Sequence, residues 1–458
     1  MMRINNYSLL TDFYELTMTA GYFEHKLNTQ AVFDLFIRRS PKNRSYFVAC
    51  GLEDCLEYLK ELHFDLESLD YLKNLKIFKD DFLNFLGNLK FRGSIFALPE
   101  GTIFFPNEPV IKVVAPIIEA QIIESFLLNS INLQTTIATK ASRVVYAAKG
   151  KGVFDFSLRR TQGVSAAIKV ARASYIAGCL GTSNCLAGKI YQIPVAGTMA
   201  HSYVMSFKEE LKAFQSFTKT FPNNSTLLID TYDNLKGLRN AITVAKELEA
   251  KGHRLLAVRL DSGDLASISQ KVRVQLNKAG LSYVKIFASG NLDEYKIERL
   301  LKRKARIDNF GVGTNMGTSS DAPYCDVIYK ISEVSDENGN FIPTMKLSKD
   351  KLTFPGRKQI FRIMDKKGQF EKDILALENE SIEGTPLLIK VVENGKFIYK
   401  SPSLNEIRKV TKENLDCLPK KFKRINNAQK YPVLISPGLK ALRDDFLNSL
   451  KQRMKNAP

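Results

Sequence analysis

The sequence predicts an α/β fold organised around a parallel sheet. Between about residues 121 and 332, short apolar runs alternate with amphipathic helical patterns, and this alternation requires crossovers between parallel strands. Roughly six or seven such units indicate a closed or nearly closed β/α barrel, with an open doubly wound sheet as the alternative. Charged and glycine residues follow the apolar runs where each strand should end, and both architectures bind ligands at that edge.

Residues 1–120 are predicted to form a separate α+β unit. An amphipathic helix near the N-terminus places Tyr14, Met18 and Tyr22 on one face. Such an aromatic stripe usually belongs to a core, and a ligand role for Tyr14 is the alternative. An extended run at 31–41 and β-like residues with proline and glycine turns complete the unit.

Residues 121–332 are predicted to form the barrel-like unit. A long helix that begins near Ile117 introduces the region, and Gly150 and Gly152 end that helix. The strands that follow are short, apolar and separated by helical patterns. They are VFDFS, YQIPVAG, TLLID, HRLLAVRLD, YVKIFASG, DNFGVGT and CDVIYKI.

The alternation fades in the C-terminal segment, residues 333–458. The stretch KLSKDKLTFPGRKQIFRIMDKKG predicts two strands around Pro355-Gly356. The runs after it are typical of irregular β-structure, and ALRDDFLNSLKQRMK predicts a terminal helix.

Composition indicates a soluble, cytoplasmic protein. Hydrophobic residues make up 44% and charged residues 25% of the 458 residues. No apolar run approaches the roughly 18–20 residues of a membrane span, and acidic residues interrupt any signal pattern at the N-terminus. The six cysteines form no CxxC pair and the four histidines are dispersed, so we expect reduced thiols and no zinc site.

The net charge of +19 raises the question of a nucleic-acid partner. Lysine and arginine are spread along the chain, with modest clusters at 302–306 and 420–424. This distribution favours a lysine-rich solvated surface, and we expect no nucleic-acid or membrane partner. A nucleic-acid-binding protein remains the competing class. A basic surface also attracts phosphorylated substrates.

Two glycine-containing turns follow neighbouring predicted strands. One is GVGTN, which contains Gly313 and Thr314, and the other includes Ser289 and Gly290. Glycines at such positions let backbone N–H groups converge on a phosphate, whereas a GxG pattern alone also fits a simple tight turn. The GxxxxGK[ST] motif of a P-loop is absent from the sequence.

Arginines and aspartates stand at the ends of other strands. Arg159, Arg160 and Arg259 could bind phosphate or carboxylate, or form ion pairs with Asp155, Asp230 or Asp261. Two DxxD pairs, ending at Asp233 and Asp264, offer oxygen ligands suited to Mg²⁺. Because Asp233 and Asp264 directly precede helical patterns, we expect them to be helix caps and favour Asp230 and Asp261 for function.

His201 and Phe156 complete the set of candidates. A lone histidine is often structural, but one that lies among phosphate-binding turns is a candidate acid, base or phosphoryl acceptor. Phe156 offers a ring face to a planar ligand. These residues indicate a Mg²⁺-assisted enzyme that acts on a phosphorylated substrate and a flat partner, and they single out no reaction.

The ordered motifs resemble those of the nicotinate phosphoribosyltransferase family, and the resemblance covers nearly the whole chain. They are LLTDFYELTM, FDFSLRRTQG, GTSNCLAG, IPVAGTMAHSYV, LIDTYD, VRLDSGDL, FASGNLDE, FGVGTN and KLSKDKLTFPGRKQIFR. The resemblance implies an irregular β/α barrel beside an α/β sandwich-like domain formed by the N- and C-terminal segments. It also implies a homodimer with active sites at the subunit boundary.

The reaction implied by the resemblance belongs to the salvage of pyridine nucleotides for NAD biosynthesis. Nicotinate and 5-phosphoribosyl 1-diphosphate would give nicotinate mononucleotide and diphosphate, with Mg²⁺ and with ATP hydrolysis coupled through a phosphohistidine. Such an ATP-dependent enzyme forms a C–N bond and is classed as a ligase.

The family's residue roles transfer to matching positions of this chain. His201 would be the phosphorylated histidine, and Asp230 and Asp261 would hold ribose hydroxyls or Mg²⁺-bound water. The remaining residues would bind substrates. Phe156 and, from the other subunit, Tyr14 would sandwich the pyridine ring, Arg159 would contact phosphates, Arg259 would lie at the base side, and Ser289, Gly290, Gly313 and Thr314 would cradle the 5′-phosphate. Direct Mg²⁺ ligands and the roles of Lys140 and Arg143 stay unassigned.

Ser183 is expected to select the base. The related nicotinamide phosphoribosyltransferases have an acidic residue where Ser183 stands. A carboxylate accepts from a carboxamide N–H₂ and repels a carboxylate, whereas a serine hydroxyl donates to a carboxylate without charge repulsion. Ser183 therefore favours nicotinate.

Overall fold

The structure is a computed structural model that describes residues 6–27, 29–346 and 353–456. The predicted strand before Pro355-Gly356 lies largely outside the described residues. Within those ranges, every helix is too short or too polar to cross a bilayer.

Helices account for much of the chain, and we number them in chain order. They are α1 (Phe13–Glu24), α2 (Leu52–Glu61), α3 (Leu66–Asn74), α4 (Asp80–Gly87), α5 (Ile117–Ile122), α6 (Glu124–Ala147), α7 (Val164–Ile176), α8 (Cys185–Tyr191), α9 (His201–Met205), α10 (Glu210–Thr220), α11 (Asn234–Glu249), α12 (Leu265–Lys278), α13 (Glu294–Lys302), α14 (Thr314–Gly317), α15 (Leu404–Cys417), α16 (Lys420–Lys423) and α17 (Pro437–Asn456).

The strands are mostly short. They are β1 (Gln30–Ile37), β2 (Phe47–Val48), β3 (Ser94–Ala97), β4 (Ile103–Phe104), β5 (Pro109–Pro116), β6 (Gly152–Asp155), β7 (Gly181–Thr182), β8 (Thr226–Leu228), β9 (Ala257–Leu260), β10 (Lys285–Ala288), β11 (Asn309–Val312), β12 (Val327–Ser335), β13 (Phe341–Pro343), β14 (Lys358–Met364), β15 (Phe370–Leu377), β16 (Thr385–Pro386), β17 (Ile389–Glu393), β18 (Lys396–Phe397) and β19 (Val433–Ile435).

The chain divides into two compact units. The first combines Met1–Thr136 with Tyr324–Pro458, and the second is Ile137–Pro323. In the first unit, β1 pairs antiparallel with β5 on one side and with β12 on the other, and β3 pairs with β17. N- and C-terminal segments therefore share one sheet, which confirms the predicted α/β domain built from both ends of the chain.

The core of the first unit covers both faces of β1. Residues 31–37 of this strand are all buried, so neither face of the predicted extended run is a solvent face. Asp34 lies among them, and its carboxylate pairs with the Lys358 ammonium of β14 at 2.8 Å. Pairing reduces the free-energy cost of burying this charge.

The second unit is built on a parallel sheet with strand order β7-β6-β11-β10-β9-β8. Helices α7, α11, α12 and α13 alternate with these strands, as the sequence predicts. In the part of the chain that the structure describes, β7 and β8 remain the two ends of the sheet, so its ladders leave the barrel irregular and unclosed. The α/β fold class is confirmed.

Two predicted strands of the barrel-like region differ from the structure. YQIPVAG is not a strand, since α8 runs to Tyr191 and only an isolated bridge joins Thr182 to Val195. Pro194 has no N–H to donate, which limits a ladder at this point. CDVIYKI is a strand, β12, but it pairs with β1 in the first unit. The sequence pattern gives no sheet partner for such a strand.

Candidate active site

Arg259 joins three separate segments at the carboxyl ends of the parallel strands. It lies on β9, where its Nε donates to Ser289 Oγ at 2.8 Å and its Nη1 donates to Thr198 Oγ1 at 2.9 Å. Nη2 donates to Asp261 Oδ1 at 2.9 Å, so the ion pair considered from the sequence is confirmed for this arginine. All three guanidinium nitrogens are engaged, which fixes the plane of the group.

Two carboxylates continue this network toward β8. Ser289 Oγ donates to Asp261 Oδ1, and the Asp261 N–H donates to Asp230 Oδ2 at 3.0 Å. Burial opposes ionisation of Asp261, but the Ser289 hydroxyl and the Arg259 guanidinium outweigh it and lower the pKa of Asp261. Asp261 is therefore a carboxylate at neutral pH.

Asp230 retains one oxygen for a ligand. Its Oδ2 accepts from Ser262 Oγ at 2.6 Å as well as from the Asp261 N–H. Its Oδ1 is buried and has no hydrogen-bond partner among the described residues. A buried carboxylate oxygen in this state is suited to a cation, a bound water or a hydroxyl.

Phe156 presents an ordered aromatic ring beside Arg259. The ring stacks on Phe287 of β10 with centroids 5.5 Å apart and planes at 16°, and the Arg259 guanidinium carbon lies 5.6 Å from its centroid. Gly311 makes this packing possible, because an added Cβ would approach both rings within 2.6–2.8 Å. The Phe156 N–H donates to the Val312 carbonyl at 2.9 Å, which ties the ring to β11.

The two glycine turns follow β10 and β11. Gly290 has φ +99°, and an added Cβ would overlap the Asp261 carbonyl oxygen. Gly313 has φ −106°, and its Cβ would lie 3.2 Å from the Phe156 carbonyl oxygen. Neither Gly311 nor Gly313 has a positive φ, and the Met316 N–H donates to the Gly313 carbonyl at 3.1 Å, so a tight turn does follow β11. Thr314 begins α14 directly after Gly313.

His201 is the first residue of α9 and is partly buried. Its Nδ1 lies 3.2 Å from Thr231 Oγ1, and no described residue hydrogen-bonds its Nε2. The charge of His201 is one of the contributions that lower the pKa of Asp261, after those of Ser289 and Arg259. His201 therefore belongs to the electrostatic surroundings of Asp261.

Ser183 is anchored to β6 through its backbone. Its N–H donates to the Asp155 carbonyl at 2.8 Å. The Asp155 carboxylate accepts from Thr182 Oγ1 at 2.8 Å and from Ser157 Oγ at 2.5 Å. Burial raises the pKa of Asp155 despite these donors. An arginine partner was considered for Asp155 from the sequence. In the structure, its carboxylate accepts from these two hydroxyls instead.

Other predicted residues lie outside this network. Arg159 and Arg160 are exposed, and the Arg160 N–H donates to the Ser157 carbonyl at 2.8 Å. Tyr14 belongs to the first unit, where its ring is 48% exposed. Asp233 caps α11 by accepting from two backbone N–H groups, as predicted, whereas the Asp264 carboxylate pairs with Arg303 at 2.7 Å.

Several residues of the network were missed by sequence reasoning. They are hydroxyl, aromatic or glycine residues next to those that were named: Thr198, Thr231, Ser262, Phe287 and Gly311. Their adjacency to charged strand-end residues is the only signal in the sequence, and it does not show which neighbour turns toward the site. Among the described residues, no cluster of three or more histidine, cysteine or acidic side chains could hold a metal by itself.

The fold and this network define a ligand-binding enzyme of the α/β class. Residues 9–132 match the nicotinate phosphoribosyltransferase (NAPRTase) N-terminal domain, residues 152–353 match the NAPRTase family, and residues 381–443 match the C-terminal domain. The chain is 45% identical over 433 residues to nicotinate phosphoribosyltransferase pncB2 of Mycobacterium tuberculosis, covering 94% of this chain and 91% of that protein. The chain belongs to the nicotinate phosphoribosyltransferase family.

Two further similarities cover most of the chain. The nicotinate phosphoribosyltransferase of Bacillus subtilis is 36% identical over 478 residues, which span 98% of this chain and 96% of that protein. The crystal structure of human nicotinic acid phosphoribosyltransferase superposes with a TM-score of 0.85 at 27% identity, covering 95% of this chain and 99% of that one.

The close approach of two turns predicts the effect of adding a methyl group at Gly290. Gly252 has a similar φ of +78°, but a Cβ added there would have nothing within 4 Å. We expect Gly252→Ala to lower the free energy of unfolding by about 1–2 kcal/mol through backbone strain alone. Gly290→Ala should cost about 1–3 kcal/mol more, because its Cβ also displaces the Asp261 backbone. Urea denaturation of both variants measures the difference, and equal losses would contradict the proposed close packing.

Proposed function

We propose that this chain transfers the phosphoribosyl group of 5-phosphoribosyl 1-diphosphate to nicotinate. The products are nicotinate mononucleotide and diphosphate, and the step serves the salvage of pyridine nucleotides for NAD. The observation that carries the proposal is the hydrogen-bonded set formed by Arg259, Asp261, Asp230 and Ser289 beside the Phe156 ring. Cations, carboxylates and an aromatic face at one edge match a phosphorylated sugar and a flat base.

The proposed phosphate site is formed by the turns after β10 and β11. Gly290, Gly313 and Thr314 would bind the 5′-phosphate through backbone N–H groups and the Thr314 hydroxyl, and Ser289 would hold the first of these turns in place. The exposed guanidinium of Arg159 would contact the phosphates from the turn after β6. Ser289 is buried and its donors are already used, since its hydroxyl donates to Asp261 and its backbone N–H donates to the Leu260 carbonyl at 2.8 Å.

The pyridine ring would lie against Phe156. In the proposed homodimer, Tyr14 of the second subunit would cover the opposite face of the base. Burial and the neighbouring Glu124 raise the pKa of Tyr14, so its phenol stays protonated throughout the physiological range. Arg259 would lie at the base side, where its guanidinium adjoins the Phe156 ring.

The chemistry depends mainly on positioning. When diphosphate departs, C1 of the ribose acquires oxocarbenium character, and the unprotonated pyridine nitrogen attacks the opposite face. Holding the reactants in this geometry can supply roughly 7–11 kcal/mol of the barrier reduction. Asp230 and Asp261 would accept hydrogen bonds from the ribose hydroxyls and fix the sugar.

A Mg²⁺ ion fits the same carboxylates. The unpartnered Oδ1 of Asp230 and the ionised Asp261 are oxygen ligands of the kind that Mg²⁺ prefers, directly or through water. When bound, the ion would offset the negative charge that develops on the leaving diphosphate.

We propose that His201 couples the reaction to ATP as a phosphohistidine. Thr231 engages Nδ1, which leaves Nε2 as the nitrogen that attacks the γ-phosphorus while ADP departs. The added charge would lie within the electrostatic range of Asp261 and would change how the site binds Mg²⁺ and diphosphate.

We propose a cytoplasmic setting, which the state of the thiols supports. All six cysteines are free, and four of them are buried. Reduced thiols are typical of a reducing compartment, which supports a cytoplasmic enzyme.

The direct test is an assay with nicotinate, 5-phosphoribosyl 1-diphosphate, Mg²⁺ and ATP. We expect nicotinate mononucleotide and diphosphate to form in equal amounts, detected by chromatography. Preference for nicotinamide, or for another pyridine acid, would replace the proposed substrate. Steeply salt-dependent binding of RNA or DNA without turnover would favour the competing class.

Ser183→Asp should change the choice of base. Two unit charges about 4 Å apart repel by roughly 1–4 kcal/mol at effective dielectric constants between those of water and a protein surface. We therefore expect kcat/KM for nicotinate to fall at least about tenfold and the ratio of nicotinamide to nicotinate turnover to rise. Ser282→Asp, an exposed position in the same unit, is the control. An unchanged ratio would remove Ser183 from base selection.

His201→Ala should abolish ATP hydrolysis while a slow ATP-independent transfer survives. The side chain that would carry the phosphoryl group is missing in this variant, whereas the groups proposed to hold sugar and base remain. His253→Ala is a matched control, because His253 also engages Nδ1, with Asn223 Oδ1 at 2.8 Å. Release of phosphate from ATP and formation of the nucleotide are measured separately. Wild-type ATPase activity in His201→Ala would exclude the phosphohistidine.

A further inference from the structure

Asn315 links the two glycine turns directly. Its Nδ2 donates to Asn291 Oδ1 at 2.9 Å and lies 3.3 Å from the carbonyl oxygens of both Asn291 and Leu292. Its Oδ1 accepts from Ser320 Oγ at 3.1 Å. One amide thus bridges the turn after β10 and the segment after β11, with donor and acceptor both used.

The turn to which Asn315 hydrogen-bonds has an unusual backbone conformation. Asn291 follows Gly290 and has φ +49°, in the left-handed region. Asparagine tolerates this region better than most residues, but it still needs external support to stay there. Lys296 Nζ supplies a second contact by donating to the Asn291 carbonyl at 2.8 Å.

A largely buried ionic network also joins the same two segments. Lys140 Nζ of α6 lies 2.6 Å from Glu294 Oε2 and 2.7 Å from Asp321 Oδ1. Arg143 Nε, one helical turn later, lies 3.0 Å from Glu294 Oε1. Glu294 begins α13 just after the first turn, and Asp321 follows α14 just after the second, so Lys140 bridges both.

Most of this network is buried, so its charged groups must be paired at close range. Lys140 and Arg143 are each 1% exposed and Glu294 is fully buried. Asp321 is less buried, with 29% of its side chain exposed. The two cations balance the carboxylates of Glu294 and Asp321, and the three buried ions are stable only when they are paired. The cations also offset the charge of Glu294, which otherwise would stand three residues after Asn291 as an unpaired carboxylate near a phosphate site.

We propose that Asn315 and Lys140 are positioning residues that hold the two glycine turns at the spacing needed for the 5′-phosphate of 5-phosphoribosyl 1-diphosphate. The inference rests on the proposed function, which assigns these turns to phosphate. It explains why α6 carries Lys140 and Arg143, since they pair with residues that follow the two turns. It also assigns Asn315 an indirect role at the site, because its amide hydrogen-bonds to the protein and not to the substrate.

The first test is Asn315→Ala, read as separate kinetic constants. We expect KM for 5-phosphoribosyl 1-diphosphate to rise at least about tenfold, while KM for nicotinate stays within about twofold. The reason is that the variant loses only the hydrogen bonds between the two phosphate-binding turns. Asn315→Asp, which keeps the shape but replaces the donor by an oxygen facing carbonyls, should be at least as impaired.

Asn240→Ala is the matched control. Asn240 belongs to the same unit and donates through Nδ2 to Glu210 Oε2 at 2.8 Å, so it loses a comparable hydrogen bond. It should change the melting temperature as Asn315→Ala does and leave both KM values unchanged. Equal effects of the two variants on both substrates would overturn the proposal.

The second test keeps the buried charges balanced. Lys140→Met alone leaves Glu294 undercompensated and is expected to fold poorly. The double variant Lys140→Met with Glu294→Gln removes one charge of each sign and should fold, with a raised KM for 5-phosphoribosyl 1-diphosphate. Its control is Arg362→Met with Asp373→Asn, a buried pair of the first unit whose groups are 2.6 Å apart, which should leave that KM unchanged.

Calorimetric binding of 5-phosphoribosyl 1-diphosphate separates this inference from the proposed reaction. An inactive wild type that still binds this compound, with weaker binding in Asn315→Ala, would refute the reaction and support the positioning role. An active wild type with unaltered binding and KM in both Asn315→Ala and the charge-balanced double variant would refute the positioning role alone. A wild type that neither reacts nor binds would refute both.

Discussion

The hydrogen bonding of the Arg259 guanidinium is the constraint on which the candidate site depends. Its three nitrogens meet Ser289, Thr198 and Asp261, which belong to three different segments of the second unit. A lysine ammonium carries the same charge but lacks the planar fork that can address three fixed acceptors at once. The side chain therefore sets relative positions as well as charge, and the Phe156 ring beside it takes its place from the same assembly.

Arginine also helps to explain why two otherwise similar carboxylates have pKa values shifted in opposite directions. Asp155 and Asp261 each follow or end a strand, and each accepts from a hydroxyl group. Burial dominates at Asp155 and raises its pKa, whereas the Ser289 hydroxyl together with the Arg259 charge lowers the pKa of Asp261. The unit thus contains a buried carboxylate with a raised pKa next to the Ser183 turn and a second carboxylate with a lowered pKa beside Arg259.

Sequence alone predicted the parts of the site that depend on sheet geometry. Arg259 lies near the end of β9, and Asp261 and Ser289 follow β9 and β10. The carboxyl ends of parallel strands meet at one edge, so the proximity of these residues was predictable. Thr198 follows the run YQIPVAG, which was predicted as a strand, and no contact with Arg259 was predicted for it. In the structure this run is an irregular connection with an isolated bridge at Val195. The buried Lys140–Glu294 pair joins positions more than 150 residues apart, and a helical pattern cannot reveal a charged partner at that separation. The roles proposed for His201 and Tyr14 came from motif resemblance, since a lone histidine and an aromatic stripe are each compatible with a purely structural place.

The glycines of the motif show how much of a ligand-binding pattern serves packing. In FGVGTN, the lack of a side chain at Gly311 leaves room for the Phe156 and Phe287 rings, and Gly313 lies close to the Phe156 carbonyl. Gly290, in the turn after β10, combines a positive φ with a close approach to the Asp261 backbone. A Cβ at Gly311 would disturb the aromatic face and one at Gly290 would disturb the carboxylate. Glycine is thus required at these two positions by the protein's own side chains and backbone, before any phosphate contact is considered.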